Sequence, residues 1–173
     1  MDLNYAIVGD NIYKKYKGFT LDIPQLMIPQ GFATALIGEN GAGKTTLMNI
    51  LAGIRLDYKG ELRYFGVYSD KDRENKPEVK EQIGYTGPGS YYLPQWKIKQ
   101  VESVSELLFS NFHKERFEHW LNELSVGADS NYLGKKVNSL SDGNRMKLMI
   151  AGALARDTKM LLMDEPASPL DPL

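Results

Sequence analysis

The sequence predicts an α/β fold, and two segments far apart in the chain carry this prediction. The first is a short apolar run at residues 32–37, which is typical of a strand covered on both faces. A glycine-rich turn follows this run, and a helical pattern at Thr45–Leu51 follows the turn. The second is the apolar run Met160–Met163, which ends in the adjacent carboxylates of Asp164 and Glu165. Buried strands that open into polar groups at their carboxyl ends are the parts of a parallel sheet with a ligand crevice.

The glycine-rich turn at residues 38–46 has the composition of a phosphate-binding loop. Its glycines can adopt backbone angles that are closed to other residues, so successive amide N–H groups converge on one anion. Lys44 is expected to reach the terminal phosphates of a nucleotide, and the Thr45 hydroxyl to bind Mg²⁺. A solvent loop is the alternative, but the strand before the turn and the helix after it favour phosphate. We therefore predict a nucleotide-binding loop formed by Gly38, Glu39, Asn40, Gly41, Ala42, Gly43, Lys44, Thr45 and Thr46.

The carboxylates that follow Met160–Met163 are candidates for metal binding and catalysis. Asp164 is expected to hold Mg²⁺, directly or through water, and Glu165 to polarise the attacking water. A strand followed by an ordinary acidic turn is the alternative interpretation. The phosphate loop earlier in the chain favours the interpretation in which these carboxylates bind metal and act in catalysis.

A third motif begins at Leu140, where Ser141 is the predicted N-cap of a helix that extends to Arg156. A Ser-x-Gly turn at a helix start can present a hydroxyl and several free N–H groups to a phosphate. Many ordinary capped helices share this pattern, so the motif alone favours a structural role. The apolar residues of the predicted helix are Met146, Met149, Ile150, Ala153 and Leu154.

Composition limits the class of protein. The 173 residues suit one domain, and 42% hydrophobic with 25% charged residues is ordinary for a soluble globular protein. A net charge of −1 argues against a nucleic-acid partner, which would require a basic surface. Cysteine is absent, so disulfides and thiolate metal sites are excluded. No apolar run approaches the roughly 20 residues of a membrane span, and Met1–Asn4 lacks the features of a secretory signal. The expected location is the cytoplasm.

Taken together, these segments resemble the ATP-binding-cassette (ABC) ATPase family over nearly the whole chain. Residues 38–46 match the Walker A loop, 140–144 resemble the Leu-Ser-Gly-Gly-Gln signature, 160–165 match Walker B with its catalytic glutamate, and 168–171 look like the D-loop. The resemblance implies that ATP and Mg²⁺ are the cofactors. It assigns catalysis to Lys44 and Glu165, metal binding to Thr45 and Asp164, and contact with the ATP of a partner subunit to Ser141, Gly143 and Asn144.

The family also places an aromatic residue where its ring stacks on adenine, and Tyr16 stands at that position. Tyr13 is a close alternative, and a tyrosine of an edge strand is the ordinary structural interpretation of either residue.

The resemblance implies a P-loop NTPase (RecA-like) core with an antiparallel β subdomain and an inserted helical subdomain, lacking the last core strands. The single domain 1–173 then divides into 1–85 (antiparallel strands and phosphate loop), 86–139 (helical insert) and 140–173 (signature helix, Walker B and D-loop). The residue pattern agrees with this division. Short antiparallel strands are predicted at Tyr5–Ile28 and Glu61–Val67, a solvated loop at Ser69–Lys80 and a further strand at Gln82–Thr86.

Two apolar stripes at helical spacing are predicted to form the core of the helical insert. No chemistry is assigned to His113, His119 or Trp120, because such stripes are usually packing surfaces. The stripes consist of Val101, Val104, Leu107 and Leu108, and of Phe117, Trp120, Leu121 and Leu124.

Three features depart from the family pattern. Residues 87–89 (Gly-Pro-Gly) stand where the family has a glutamine that senses Mg²⁺ and the attacking water, and neither Gln95 nor Gln100 has a spacing that recommends it as a substitute. Asp142 replaces the first signature glycine, and its charge would repel a γ-phosphate unless Arg145 or Lys147 compensates. The sequence stops before the family's next strand and switch histidine, so we expect a truncated chain with slow turnover.

The function implied by the resemblance is that of the nucleotide-binding subunit of an ABC transporter. Such a subunit is a cytoplasmic ATPase on the inner face of the membrane, which pairs with a second copy or homologue and drives a membrane-spanning permease. Two alternatives stay open: a soluble ABC switch that acts on ribosomes or DNA, and an ATP-binding regulatory module without efficient turnover. The aromatic segment 91–96 is equally compatible with a permease-docking surface and with ordinary core.

Overall fold

The structure is a computed structural model, and it describes residues 4–70, 77–89, 91–126 and 132–166. The chain forms two compact units, Met1–Lys80 and Glu81–Leu173. The division into three parts that the sequence suggests stays a prediction. Within the described ranges, no helix is both long enough and apolar enough to span a bilayer.

The first unit contains a four-stranded antiparallel sheet in the order β2-β1-β3-β4. The predicted antiparallel strands are therefore confirmed. A two-residue turn at Lys17 and Gly18 joins β1 to β2, so Tyr16 and Phe19 lie directly opposite each other. The strands are β1 (Tyr5–Tyr16), β2 (Phe19–Pro29), β3 (Lys59–Tyr64) and β4 (Tyr68–Ser69).

The helix that follows the glycine-rich turn is α1 (Lys44–Leu51), as predicted. It buries Leu47, Ile50 and Leu51. The Tyr64 hydroxyl donates to the Leu51 carbonyl at 3.1 Å, which fixes the end of α1 to β3. The strand predicted to reach Val67 ends at Tyr64, because Phe65 and Gly66 take left-handed angles (φ 54° and 70°) and turn the chain into β4.

The buried strand predicted at residues 32–37 is wrong. These residues have no regular secondary structure, and Phe32 and Ile37 are 67% and 90% exposed. A strand needs a neighbour for its ladder hydrogen bonds, and none of the strands in the described ranges pairs with this segment. Gly31, with a φ of 82°, turns the chain immediately after β2. The apolar composition of the run predicts burial only where such a neighbour is present.

The second unit contains a parallel pair of strands, β5 (Ile83–Thr86) and β6 (Met160–Met163), both of which were predicted. Their register pairs Ile83 with Met160 and Thr86 with Met163. The carboxyl ends of both strands therefore meet at one edge.

A short helix, α2 (Pro77–Glu81), occupies part of the segment predicted as a solvated loop, so that part of the prediction is wrong. Glu78 lies in its first turn and Lys80 in its last, and both charges complement the helix dipole. Val79 is fully buried, although most of the residues around it in the sequence are charged.

Among its described residues the second unit also has three longer helices: α3 (Ile98–Leu108), α4 (Lys114–Glu123) and α5 (Asp142–Leu154). The stripe on α4 is confirmed, with Phe117 and Leu121 in the core and Trp120 packed against it. The stripe on α3 is wrong at its end, because Leu107 and Leu108 are 84% and 65% exposed. The helix ends there, and Phe109, in extended backbone, packs against the core instead. The buried face of α3 consists of Ile98, Val101, Glu102 and Ser105.

Candidate functional site

The predicted phosphate loop leads directly into α1. The Ala42 amide donates to the Glu39 carbonyl at 3.2 Å and tightens the turn, and Gly43 caps the helix with a left-handed φ of 94°. The first hydrogen bond inside the helix runs from the Leu47 amide to the Gly43 carbonyl at 2.9 Å. The amides of residues 44–46 therefore precede this ladder and point out of the positive end of the helix dipole. This arrangement is a ready binding site for an anion.

The Lys44 side chain folds back over this loop. Its ammonium donates to the carbonyls of Gly38 and Glu39 at 2.7 and 2.8 Å. An ammonium has three N–H donors, so Lys44 can keep both contacts and direct its third donor to a phosphate. The neighbouring Thr45 is exposed and Thr46 is half-buried.

The turn is packed tightly against the hairpin of β1 and β2. A Cβ atom on Gly43 would lie 2.5 Å from Cζ of Phe19 and 3.2 Å from Cδ1 of Leu21. A side chain at this position would force Phe19 to shift, and the positive φ strains any residue other than glycine.

Tyr16 lies on the same face of the hairpin as Phe19. Their ring centroids are 6.2 Å apart, with planes at 27°. The Lys14 ammonium and the Arg55 guanidinium carbon each lie 5.5 Å from the Tyr16 ring centroid, and both cations pair with Asp57. The Tyr16 ring therefore has one aromatic ring and two cations as neighbours.

Tyr13, the alternative to Tyr16, is three residues earlier on β1. Side chains of a strand alternate between its two faces, so Tyr13 lies on the opposite face from Tyr16. Phe19, which contacts the phosphate loop, shares the face of Tyr16. The hairpin therefore brings Tyr16, and not Tyr13, to the side of Gly43.

In the second unit, Asp164 directly follows β6. Its amide donates to the Thr86 carbonyl at 2.8 Å, and the residue is only 4% exposed. Its Oδ2 atom is buried and has no hydrogen-bond partner among the described residues. Burial, and to a smaller extent the Asp164 carboxylate, raise the pKa of Tyr85. A buried carboxylate oxygen without a partner calls for a ligand, and Mg²⁺ prefers oxygen ligands of this kind.

Glu165, the candidate catalytic base, is exposed next to the buried Asp164. Its φ of 50° is left-handed, which is uncommon for a residue with a side chain and is often found at functional sites. The described residues contain no group of three or more His, Cys, Asp or Glu side chains arranged to hold a metal. Mg²⁺ commonly takes only one or two carboxylates, with phosphates and water as its other ligands, so a single carboxylate such as Asp164 is compatible with such a site.

The serine-glycine turn begins α5 as predicted. The Ser141 hydroxyl accepts a hydrogen bond from the Asn144 amide at 3.2 Å, which confirms Ser141 as the N-cap. Arg145 pairs with the Asp142 carboxylate and also donates to the Leu140 carbonyl at 2.7 Å. The charge of Asp142 is therefore compensated by Arg145. Gly143 lies in the first turn and is half-buried.

The comparison with known families decides the class of protein. The family described as "ABC transporter" matches residues 21–168. The chain belongs to the ABC transporter family. The resemblance stated from the motifs is confirmed, as is the assignment to a family of ATP-binding and ATP-hydrolysing enzymes.

Several members of the ABC transporter family are similar to this chain along most of its length. It is 33% identical over 168 residues to the tungstate uptake system ATP-binding protein TupC of Peptoclostridium acidaminophilum, covering 96% of the chain and 74% of TupC. It is 32% identical over 164 residues to the molybdenum import ATP-binding protein ModC of Shewanella sp. (strain MR-4), covering 93% of the chain and 43% of ModC. The chain thus spans about three quarters of the first relative and less than half of the second.

The solved structures support the ABC fold. The dimeric structure of MJ0796, a bacterial ABC transporter cassette, superposes with a TM-score of 0.78 at 21% sequence identity, covering 95% of this chain and 76% of that one. The α/β fold of the ABC cassette, with its antiparallel sheet, is therefore confirmed.

The structure also describes the two glutamines that were left without an assigned role, Gln95 and Gln100, and the aromatic segment 91–96. Gln100 accepts a hydrogen bond from the Lys97 amide at 2.8 Å and serves as a cap of α3, whereas Gln95 is exposed. In the aromatic segment, Tyr92 and Trp96 pack against the helical core, and Tyr91 and Leu93 are exposed. The predicted D-loop at 168–171 lies outside the described residues.

One candidate functional residue was not identified from the sequence. Thr86 is fully buried at the end of β5, and its hydroxyl has no hydrogen-bond partner among the described residues. The signal available in the sequence was a polar residue that closes an otherwise apolar strand.

Proposed function

We propose that this chain is the MgATP-binding and hydrolysing subunit that powers an ABC membrane transporter through ATP-driven dimerisation. The observation that carries the proposal is the geometry of the phosphate loop, in which the amides of residues 44–46 precede the first helical hydrogen bond of α1 and the Lys44 ammonium lies on the carbonyls of the same turn. Membership of the ABC transporter family supports the same conclusion.

ATP binding is assigned to residues 38–46 and Tyr16. The loop amides and Lys44 hold the phosphates, since charge-assisted hydrogen bonds to phosphate are among the strongest in proteins. Tyr16 stacks on adenine, because the hairpin places its ring on the face that contacts Gly43. Glu39, Asn40 and Ala42 contribute mainly backbone amides to the turn.

Metal binding and catalysis are assigned to side chains whose chemistry fits each role. Thr45 and Asp164 hold Mg²⁺, which neutralises phosphate charge when bound. Thr45 is exposed at the helix start, and Asp164 offers an unpartnered oxygen. Glu165 accepts a hydrogen bond from the attacking water and orients it. Little covalent chemistry is required of the protein, because phosphoryl transfer depends on positioning and charge.

Partners are assigned from the serine-glycine turn and from the relatives. Ser141, Gly143 and Asn144 complete the ATP site of a second ABC subunit, identical or homologous, and the Arg145–Asp142 pair lets the turn approach a phosphate without net repulsion. MJ0796 has been solved as a dimer, which supports this assignment. The second partner is a membrane-spanning permease, which holds the subunit on the inner face of the membrane. TupC and ModC are named for uptake and import, which favours an importer.

A second candidate function is an ATP-binding regulatory module without efficient turnover. The Gly-Pro-Gly sequence at residues 87–89 favours it, because no glutamine stands directly after β5. Phosphate release measured beside Glu165→Gln separates the two functions. Turnover that Glu165→Gln abolishes supports the ATPase, and equal background release by both proteins supports the regulatory module.

ATP-driven dimerisation is tested by light scattering on Glu165→Gln, which is expected to bind MgATP without consuming it. We expect a monomer without nucleotide and a dimer with MgATP. Ser141→Ala in the same background should weaken the dimer, whereas Ser139→Ala, a matched change just before the turn, should not. A protein that stays monomeric at saturating MgATP would contradict the proposed mechanism.

A further inference from the structure

Lys14, Arg55 and Asp57 form a charged cluster beside the Tyr16 ring, and the proposed function assigns it no role. The Lys14 ammonium and the Arg55 guanidinium carbon each lie 5.5 Å from the Tyr16 ring centroid, within the range of a cation–π interaction. Lys14 donates to the Asp57 carboxylate and, at 2.6 Å, to the Asp57 carbonyl. Arg55 donates to the other oxygen of the same carboxylate at 3.2 Å. Asp57 therefore joins two cations that both approach one aromatic ring.

The two cations lie on the same side of the Tyr16 ring. Cations directly above and below one ring, each 5.5 Å from its centre, would be twice that distance apart. Lys14 and Arg55 pair with the two oxygens of a single carboxylate, which keeps them closer together than that. The ring is therefore held by both cations from one side.

Lys14 reaches the ring because it lies on the same face of β1 as Tyr16. It precedes Tyr16 by two residues, and alternate residues of a strand share a face. The cross-strand partners of this pair on β2 are Leu21 and Phe19, whose side chains lie nearest to a Cβ atom built on Gly43. The Lys14 side chain is only 16% exposed, so its surroundings restrict its movement. The face that carries Lys14 and Tyr16 is thus the face that contacts the phosphate loop.

Arg55 lies in the loop that follows α1. The amides of Ile54 and Arg55 donate to the Asn49 carbonyl at 2.9 and 3.0 Å, which attaches this loop to the last turn of the helix. The same helix begins at Lys44, in the proposed phosphate site. The backbone of Arg55 is therefore fixed to the helix of the phosphate loop, while its side chain reaches the proposed adenine platform.

Tyr16 is the last residue of β1, next to the turn that joins β1 to β2, and it is half-buried. A side chain that becomes immobilised on binding loses rotamer entropy, whereas one that is already fixed avoids this cost. Resting on the function proposed above, we propose that Arg55 is a positioning residue of the adenine platform: its ion pair with Asp57, shared with Lys14, holds the Tyr16 ring in the orientation on which the base stacks. Arg55 acts through the ring and not on the phosphates.

The test measures the affinities of the full chain for ATP and for inorganic triphosphate by calorimetry in the presence of Mg²⁺. Arg55→Ala should weaken ATP binding about two- to fivefold, the size of a cation–π contact at an exposed site, and should leave triphosphate binding unchanged. Asp57→Asn, which keeps the shape and removes the charge, should act in the same direction. Arg63→Ala is the matched control, because Arg63 pairs with Asp10 at 2.9 Å on the same sheet. It should bind both ligands as the wild type does.

A double-mutant cycle with Tyr16→Ala shows whether Arg55 acts through the ring. The loss caused by Arg55→Ala should disappear in the Tyr16→Ala background, because no ring remains to be held. An equal loss for ATP and triphosphate would overturn the inference, since Arg55 would then act on the phosphates. A gain in ATP affinity would overturn it as well, because the cations would then obstruct the ring.

The same titrations separate this inference from the proposed function. A wild-type chain that binds neither ATP nor triphosphate would refute the proposed function itself. A selective loss of ATP affinity in Tyr16→Ala, together with wild-type affinity in Arg55→Ala and Asp57→Asn, would refute only the role of Arg55.

Discussion

The Phe19 ring occupies the space that a side chain at residue 43 would need, since a Cβ atom on Gly43 would lie 2.5 Å from its Cζ atom. Phe19 is also the cross-strand partner of Tyr16. One aromatic side chain thus connects the hairpin that carries the candidate adenine platform with the turn that carries the candidate phosphate site.

Gly43→Ala should reduce both stability and ATP affinity. A left-handed residue with a Cβ costs about 1–2 kcal/mol, and the overlap with Phe19 adds about 1–3 kcal/mol. Gly41→Ala is the matched control, because Gly41 has a similar φ of 84° but open space around it. Urea unfolding should show a clearly larger loss for Gly43→Ala than for Gly41→Ala. Equal losses would mean that the contact with Phe19 has no energetic weight.

Tyr16→Ala should weaken the binding of ATP more than that of inorganic triphosphate, because only ATP has a base to stack on the ring. Stacking on an aromatic side chain is worth about 1–3 kcal/mol per base. Tyr13→Ala, on the opposite face of β1, should affect the two ligands equally. Calorimetric titration of both variants with both ligands checks this prediction. A selective loss of ATP affinity in Tyr13→Ala alone would assign the platform to Tyr13 instead.

The features that could be predicted from sequence depend on nearby residues. The N-cap at Ser141 and the helix start after Gly43 are examples, since each conformation is set within a few positions of the residue itself. The run at residues 32–37 could not be assigned in this way, because burial requires a partner surface that the run does not specify. The predicted burial of Leu107 and Leu108 was wrong, because a helical stripe does not show where the helix leaves the core. Thr86 was missed because its neighbour Asp164 is distant in sequence.

Gly152→Ala should destabilise the helical part of the second unit. A Cβ atom on Gly152 would overlap the Tyr92 hydroxyl. Overpacking of this kind costs about 1–3 kcal/mol. The better helix propensity of alanine offsets part of this cost. The same substitution in a Tyr92→Phe background removes the overlap and should be neutral or stabilising. Thermal unfolding of the four proteins in this cycle measures the coupling. Additive effects would contradict the contact.

Tyr92 should make the protein less stable at alkaline pH. Burial raises its pKa to about 12, against an ordinary value of 10.0. The folded state thus favours the neutral phenol, and this contribution is complete below pH 10 and is lost as the pH rises toward 12. Urea unfolding across this range should show a shallower decline for Tyr92→Phe than for the wild type. Parallel profiles would show that Tyr92 titrates normally in the folded state.

Binding of ATP at residues 38–46 is the central claim, and calorimetric titration of Lys44→Ala beside the wild type tests it most directly. Lys99→Ala, an exposed lysine on α3, is the matched control. Charged hydrogen bonds are worth about 1.5–3 kcal/mol, so Lys44→Ala should lose roughly tenfold or more in ATP affinity while its thermal unfolding stays close to that of the wild type. Lys99→Ala should bind as the wild type does. Equal dissociation constants for Lys44→Ala and the wild type, or no binding by either, would contradict the account.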